Sequence, residues 1–275
     1  MRAHDSALES GVRSAQAGEE AALAEVLEHI QRPVYGLALR MLWDREDARD
    51  ATQEILIRIF ESLDTFRWES SFMTWVYRVA ANHLRNFRKS LMERRRFTFE
   101  SFGTDLEDGL QEAELPRFHG VDQSLLLEEI KLGCTLGMLM CLDRPHRLAY
   151  ILGEILELEG PEAASILNVS ATVFRKRLSR ARSSLVAFMQ RRCGLFDPRN
   201  QCRCRRRVQR AIDLGRLDPN RFLFASNAEE ARRFPEVLVT IRRLEKTQRA
   251  VALYRSQPAY ESSVDIRNIV KKTLK

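Results

Sequence analysis

Apolar residues recur along most of this chain at intervals of three and four, the spacing that lines one face of a helix, and few segments alternate as strands do. The pattern predicts an all-α fold, with no internal repeat at a fixed period. Between Asp47 and Leu63 the residues Ala48, Ala51, Ile55 and Ile59 fall on one face, and Asp50, Gln53, Glu54 and Arg58 on the other. Phe72, Trp75 and Val79 share the same periodicity. From Thr98 to Gln123 the periodicity fades among Gly103, Asp105, Asp108, Gly109, Pro116 and Gly120, a composition that predicts an acidic, flexible linker. A second helical block runs from Ser124 to about Arg192, with a helix start at Asp143 and Pro145. Gly194, Pro198 and the run Arg203 to Arg207 break the pattern again. Asn227 with Glu230 has the form of a capping box, and Pro235 is expected to interrupt the helix that the box begins. Leu238, Ile241, Leu244 and Val251 then mark an amphipathic helix, with Ile266, Ile269, Val270 and Leu274 near the end. The expected division is 1–97, a linker at 98–123, 124–192, and an extension at 193–275.

Within Gly160 to Leu185 the spacing predicts a helix-turn-helix. A short helix from Pro161 to Leu167 would bury Ala163, Ala164, Ile166 and Leu167, and Asn168, Val169 and Ser170 would make the turn. Ser170 can cap the second helix, which places Phe174, Leu178, Ala181 and Leu185 on one side and Arg175, Lys176, Arg180 and Arg182 on or near the other. A recognition helix in the major groove needs that arrangement, an apolar face holding it to the domain and cations reaching bases and phosphates.

Charge supports a polyanionic partner. The 275 residues carry a formal net charge of +7, with 44% hydrophobic residues, enough to fold. Between Arg175 and Arg210 the only acid is Asp197, whereas Glu100 to Glu129 is mostly acidic. Phe66, Trp68, Phe72, Trp75 and Tyr77 are followed by Asn82, His83, Arg85, Arg88 and Lys89, aromatic rings beside cations, as proteins that stack on unpaired bases have. The competing reading of Phe72, Trp75 and Val79 is a core face.

The run Asp47-Ala-Arg-Asp50-Ala-Thr-Gln53-Glu54, with Arg58 and Phe60, and the run Phe66-Arg-Trp-Glu-Ser-Ser-Phe72-Met-Thr-Trp75-Val-Tyr-Arg78-Val-Ala-Ala-Asn82 resemble region 2 of the extracytoplasmic-function (ECF) sigma factors of the sigma-70 family. Leu142 to Leu185, ending Arg177-Leu-Ser-Arg180-Ala-Arg182, resembles their region 4. The resemblance implies a region 2 helical bundle over 1–97, a region 4 helix-turn-helix domain over 124–192, and a function in promoter-specific transcription initiation. It also implies that Asp47, Asp50, Gln53, Glu54 and Arg58 meet the β′ clamp helices of core RNA polymerase. By the same resemblance Trp68, Ser70, Trp75, Asn82, His83, Arg85, Asn86 and Arg88 recognise the melted −10 element of promoter DNA. Thr172, Arg175, Lys176, Arg177, Arg180 and Arg182 would read the −35 element as duplex, with the β flap as a further contact of the domain. Asn86 stands where the family often has aspartate. An anti-sigma factor is a candidate regulatory partner. The rival function is a helix-turn-helix regulator that works without polymerase, which would leave the first block unexplained.

No phosphate loop, nucleophile triad or paired-histidine metal motif is present, so an enzyme is not expected and no cofactor is required. The first residues lack the layout of a secretory signal, and the most apolar run, Leu132 to Leu142, is shorter than the roughly 20 residues that span a bilayer, so a cytoplasmic protein with no membrane partner is expected. Cys193, Cys202 and Cys204 open the extension as a candidate zinc site, with Asp197 or a distant histidine as fourth ligand. Two alternatives stand beside it: a redox pair whose thiol pKa values Arg203, Arg205, Arg206 and Arg207 would lower, and a structural or DNA-facing loop. Cys134 and Cys141 are expected to be packed core thiols. The tail is a candidate intramolecular regulator or a passive stabilising extension.

Overall fold

A computed structural model describes residues 2–88, 91–94, 97–108, 110, 118–262, 264–266 and 269. Gly109, Pro116, Lys89, Val270 and Leu274 lie outside the described residues. The described residues are helical, and their only bridges are the isolated pairs Cys193 with Cys202 and Asp218 with Arg221. In chain order the helices are α1 (Arg2–Gln16), α2 (Glu20–Leu42), α3 (Arg45–Ser62), α4 (Phe72–Asn86), α5 (Leu91–Arg94), α6 (Phe99–Asp108) and α7 (Gln123–Met140). Next come α8 (Arg144–Tyr150), a π-helical turn (Ile151–Ile155), α9 (Gly160–Ile166), α10 (Ala171–Arg192), α11 (Cys204–Asp213), α12 (Ala228–Arg243) and α13 (Lys246–Arg255). The fold is all-α.

Packing divides the chain into two units that cross the expected sequence boundaries. The first comprises Met1–Ser90, Glu159–Phe174 and Ala259–Lys275, and the second Leu91–Leu158 with Arg175–Pro258. The first is built on α2, whose Leu27, Ile30, Val34, Leu37 and Met41 are buried and which packs against α1, α3 and α4. α3 starts where Asp44 accepts a hydrogen bond from the Asp47 N–H (2.9 Å), and α4 starts at Ser71, whose Oγ accepts from the Thr74 N–H (3.1 Å). Ala48, Ala51, Ile55 and Ile59 are buried, as their spacing predicts. Two distant segments join this unit. α9 packs on α4, where Thr74 donates to Glu162 (2.5 Å) and Arg78 to Ser165 (3.0 Å). The tail lies on α2: Gln31 donates to Ser262 and to the Val264 carbonyl, the Arg40 guanidinium stands 4.8 Å from the Tyr260 ring centre, and Ile266 and Ile269 are buried.

The second unit is organised around α7, which is buried on nearly every side, polar residues included. Glu129 accepts three backbone hydrogen bonds, from Leu223 and Phe224 (2.8 Å each) and Ala225 (2.7 Å). Lys131 pairs with Glu128 at 2.7 Å and lies 3.5 Å from the Phe234 ring centre. Thr135 accepts from the Tyr254 hydroxyl at its carbonyl and from Gln257 at its Oγ1. α11 adds an apolar contact through Val208 and Ala211 against Leu126 and Ile130. At the end of α7 the buried Arg147 donates to the carbonyls of Leu139, Met140 and Leu142 and pairs with Glu93, satisfying acceptors that a helix C-terminus leaves open.

Two expectations are corrected here. Phe99–Asp108 is a helix in a packed unit and not a flexible connection: Phe102 and Leu106 are buried, and the Phe102 ring stacks on Phe188 at 5.5 Å. Phe99, Phe102 and Leu106 give that acidic segment an apolar face, which supplies the burial a disordered linker lacks. Nor does Pro235 end its helix. α12 runs through it from an Asn227 cap that accepts from the Glu229 and Glu230 N–H groups, and Ala231 and Ile241 anchor it on either side. The proline forfeits one backbone bond, a cost that burial at both ends offsets.

Replacing Glu129 by alanine leaves three backbone N–H groups without their acceptor. Urea unfolding of Glu129→Ala is expected to show a loss of about 3 kcal/mol, and a loss below about 1 kcal/mol would mean that water replaces the carboxylate at no cost.

Candidate nucleic-acid and polymerase interface

α3 and α4 wall a recess of about 810 Å³. One wall carries Glu54, Arg58, Glu61 and Ser62, the other Val79, Asn82, His83, Asn86, Phe87 and Arg88. Residues expected to meet polymerase and residues expected to meet DNA therefore share one depression. Glu54 and Arg58 are exposed, while Asp47, Asp50 and Gln53 are half-buried. Arg88 reaches across to both aspartates, with Nη2 2.7 Å from Asp47 and 3.1 Å from Asp50. Its charge is thereby matched by carboxylates of the other set. Asn82 and Arg85 are exposed and bonded to each other (3.1 Å), and the Asn86 amide donates to the Asn82 carbonyl. His83 is mostly covered and its Nε2 lies 3.5 Å from Glu54. Burial holds the imidazole below its ordinary pKa, opposed by Glu54 and assisted by Arg58.

The aromatic residues before α4 form one cluster. Phe66 stands 4.9 Å from Trp68, 5.5 Å from Phe72 and 5.4 Å from Trp75. Phe66 and Phe72 are buried, whereas Trp68 and Trp75 are half-exposed, so the core reading holds for the phenylalanines and leaves indole surface accessible. Trp68 has φ 61°, a left-handed conformation rare for a bulky residue. Two α1 side chains that sequence patterns did not single out hold it: Gln16 accepts from the indole N–H (3.2 Å), and the Arg13 guanidinium lies 3.9 Å over the ring. Gln16 also donates to the carbonyls of Leu63 and Phe66, tying the loop down. Ser70 bonds locally to the Ser71 carbonyl.

α10 displays the two-sided pattern its spacing predicts. Phe174, Ala181 and Leu185 are buried, Leu178 is half-buried, and Thr172, Arg175, Lys176 and Arg180 are exposed. The helix starts on Ser170, whose Oγ accepts from the Val173 N–H at 3.2 Å, after a turn in which Asn168 has φ 51°. Arg177 and Arg182 are half-buried. Arg182 donates its Nε–H to the buried Glu154 at 2.8 Å, so its charge is committed inside the second unit.

The cysteine loop bears on two expectations. Among the described residues no three Cys, His, Asp or Glu side chains stand together as a formed metal site, and Asp197 is occupied by Arg199 through Nε and Nη2. The thiols are not acidified either. Burial pushes Cys202 up to about 11 and raises Cys193 and Cys204 as well, outweighing Arg203, Arg206 and Arg207 beside Cys202.

Residues 26–96 match the family model for Sigma-70 region 2. The chain is 28% identical over 181 residues to the RNA polymerase sigma-H factor of Pseudomonas aeruginosa, a match that covers 65% of this chain and 92% of that protein. It is 27% identical over 174 residues to the ECF RNA polymerase sigma-E factor of Escherichia coli K12, covering 63% of this chain and 90% of the relative. Residues 26–96 thus match a Sigma-70 region 2, and the chain is similar to ECF sigma factors. Among solved structures it is similar to CnrH in complex with the cytosolic domain of CnrY, at 19% identity and a TM-score of 0.47, covering 66% of this chain and 95% of that one. The matches leave about a third of this chain uncovered. Among its described residues no helix is long and apolar enough to cross a membrane.

His83 gives a direct check on the recess. Its folded pKa lies below the ordinary imidazole value near 6.5, so the unfolded chain takes up the proton first, and stability falls as pH drops from about 6.5 through the folded pKa. An NMR titration of the ring is expected to give a midpoint below 6.5, lower still in Glu54→Gln and higher in Arg58→Ala. A midpoint at or above the ordinary value would show that the ring is not desolvated.

Proposed function

We propose that this chain is an ECF sigma factor, a transcription initiation factor that binds the β′ clamp helices of core RNA polymerase through Asp47, Asp50, Gln53, Glu54 and Arg58, and reads a promoter in two parts. The melted −10 element would meet Trp68, Ser70, Trp75, Asn82, His83, Arg85, Asn86 and Arg88. The −35 duplex would meet Thr172, Arg175, Lys176, Arg177 and Arg180. Arg182 acts in this reading as a brace against Glu154. The carrying observation is the α3–α4 recess, where Glu54 and Arg58 face Asn82, His83 and Asn86. Through it, contact with polymerase changes the charge beside the residues that would meet the opened strand.

Arg88 makes the coupling explicit. While Asp47 and Asp50 hold it, its cation is of little use to a phosphate, and a partner that claims the two carboxylates releases it. Exposed indole surface at Trp68 and Trp75 offers stacking worth about 1 to 3 kcal/mol per base. Strand opening would draw on binding energy alone, without nucleotide hydrolysis. An anti-sigma factor that covers the same recess would keep polymerase away.

Co-elution with bacterial core RNA polymerase tests this reading. The wild-type chain is expected to bind and Asp50→Lys with Glu54→Lys to lose binding. In the assembled holoenzyme, Arg180→Ala is expected to weaken promoter binding and to reduce the slope of log affinity against log salt by about one. A chain that ignores polymerase but retains duplex DNA alone would instead be a polymerase-independent regulator.

A further inference from the structure

Four of the five cysteines line one small interior space of the second unit. Cys134 comes from α7, Cys193 follows α10, and Cys202 and Cys204 lead into α11; between them is a cavity of about 30 Å³. Organic ligands occupy pockets of at least about 300 Å³, so this space suits a single ion and nothing larger. Cys141 stands apart, its thiol hydrogen-bonded to the Gly137 carbonyl of its own helix.

The backbone around the cavity is arranged for sulfur. Cys193 and Cys202 are partners in a parallel bridge, which sets their backbones at about the 4.8 Å spacing of paired strands. Burial raises the Cys193 thiol, and the backbone N–H groups of Leu195 and Phe196 work against that rise, favouring the thiolate, the form that ligates metal. Gly194 lets the two arms close, since a Cβ there would collide with the Cys202 carbonyl and the Arg203 guanidinium. Lys131 and Arg207 also line the cavity, two cations beside a group of sulfurs.

We propose that Cys134, Cys193, Cys202 and Cys204 form a binding site for one thiophilic cation, with zinc as the expected ion. Cys134 is the fourth ligand that the Cys193, Cys202 and Cys204 cluster lacks in the linear sequence, supplied by a helix 59 positions upstream of the first of them. Binding exchanges four S–H bonds for four metal–sulfur bonds and releases four protons, with no electron transferred. Zn²⁺ with four thiolates is a doubly negative centre, beside which stand Lys131 and Arg207, each also paired with a carboxylate, Glu128 and Asp105. The thiols are not gathered into a formed site as they stand, so the ion has to draw them together. The bound ion would fasten the start of the extension to α7. The site stands independently of the promoter-recognition reading.

The full-length chain, purified under reducing conditions and assayed by elemental analysis, is expected to carry about one zinc. Titration of the stripped chain with Co²⁺ is expected to give the absorption of tetrahedral cobalt thiolate. Cys134→Ser, Cys193→Ser, Cys202→Ser and Cys204→Ser should each abolish that spectrum, and Cys141→Ser should keep it. Because a variant could lose the fold, the wild type carries a second readout. Zinc should protect the four cavity cysteines from alkylation together, and chelation should expose them together, as read by peptide mass. An unchanged cobalt spectrum in Cys134→Ser overturns the four-thiol site. So does a chain that binds neither zinc nor cobalt, whether its Cys193 and Cys202 are recovered as thiols or as a disulfide.

Discussion

A helix that carries charged and polar groups into an interior must have each of them answered, and α7 imposes that constraint on the whole second unit. Glu129 takes the backbone N–H groups of Leu223, Phe224 and Ala225, Lys131 takes Glu128 and the face of Phe234, and Thr135 takes Tyr254 and Gln257. Apart from Glu128, each of these named partners comes from beyond residue 193. The extension is therefore part of the unit's interior, a stabilising role that leaves any regulatory one to be added to it. Arg147 closes the same helix from below with three carbonyl acceptors.

The first unit works by a different economy. Its apolar core is conventional, with Leu27, Ile30, Leu37, Ile55 and Val76 fully buried, and the chemistry is confined to the rim. There α3 and α4 place acids and cations within reach of each other, and α1 clamps an indole whose backbone is held in a costly left-handed turn. A loop held this way keeps a defined pose without being buried, which suits a residue that has to present a ring.

Local signals were the legible part of the sequence. Periodicity located the buried faces of α3 and α10, and the caps at Asp143, Ser170 and Asn227 announced helices because a cap is written within three residues of its target. What the sequence did not show had its cause far away in the chain. The acidic stretch containing Phe102 read as linker because the ring that stacks on it, Phe188, lies 86 positions on. Arg182 and Arg88 look like free cations in sequence and are paired with Glu154, Asp47 and Asp50 in space. The resemblance to region 2 was legible for the opposite reason, since its aromatic and acidic residues fall in two uninterrupted runs.

The pairing of Arg88 with Asp47 and Asp50 is one case of a wider habit. Arg192 is paired with Glu107, Arg207 and Arg216 with Asp105, and Arg232 with Asp122, so these arginines are engaged at short range although the chain as a whole keeps its formal +7. Random duplex attracts a protein through unmatched cations, and the time a DNA-binding protein spends on irrelevant sequence rises with their number. Arginines engaged in this way offer less to a random duplex than their number in the sequence suggests.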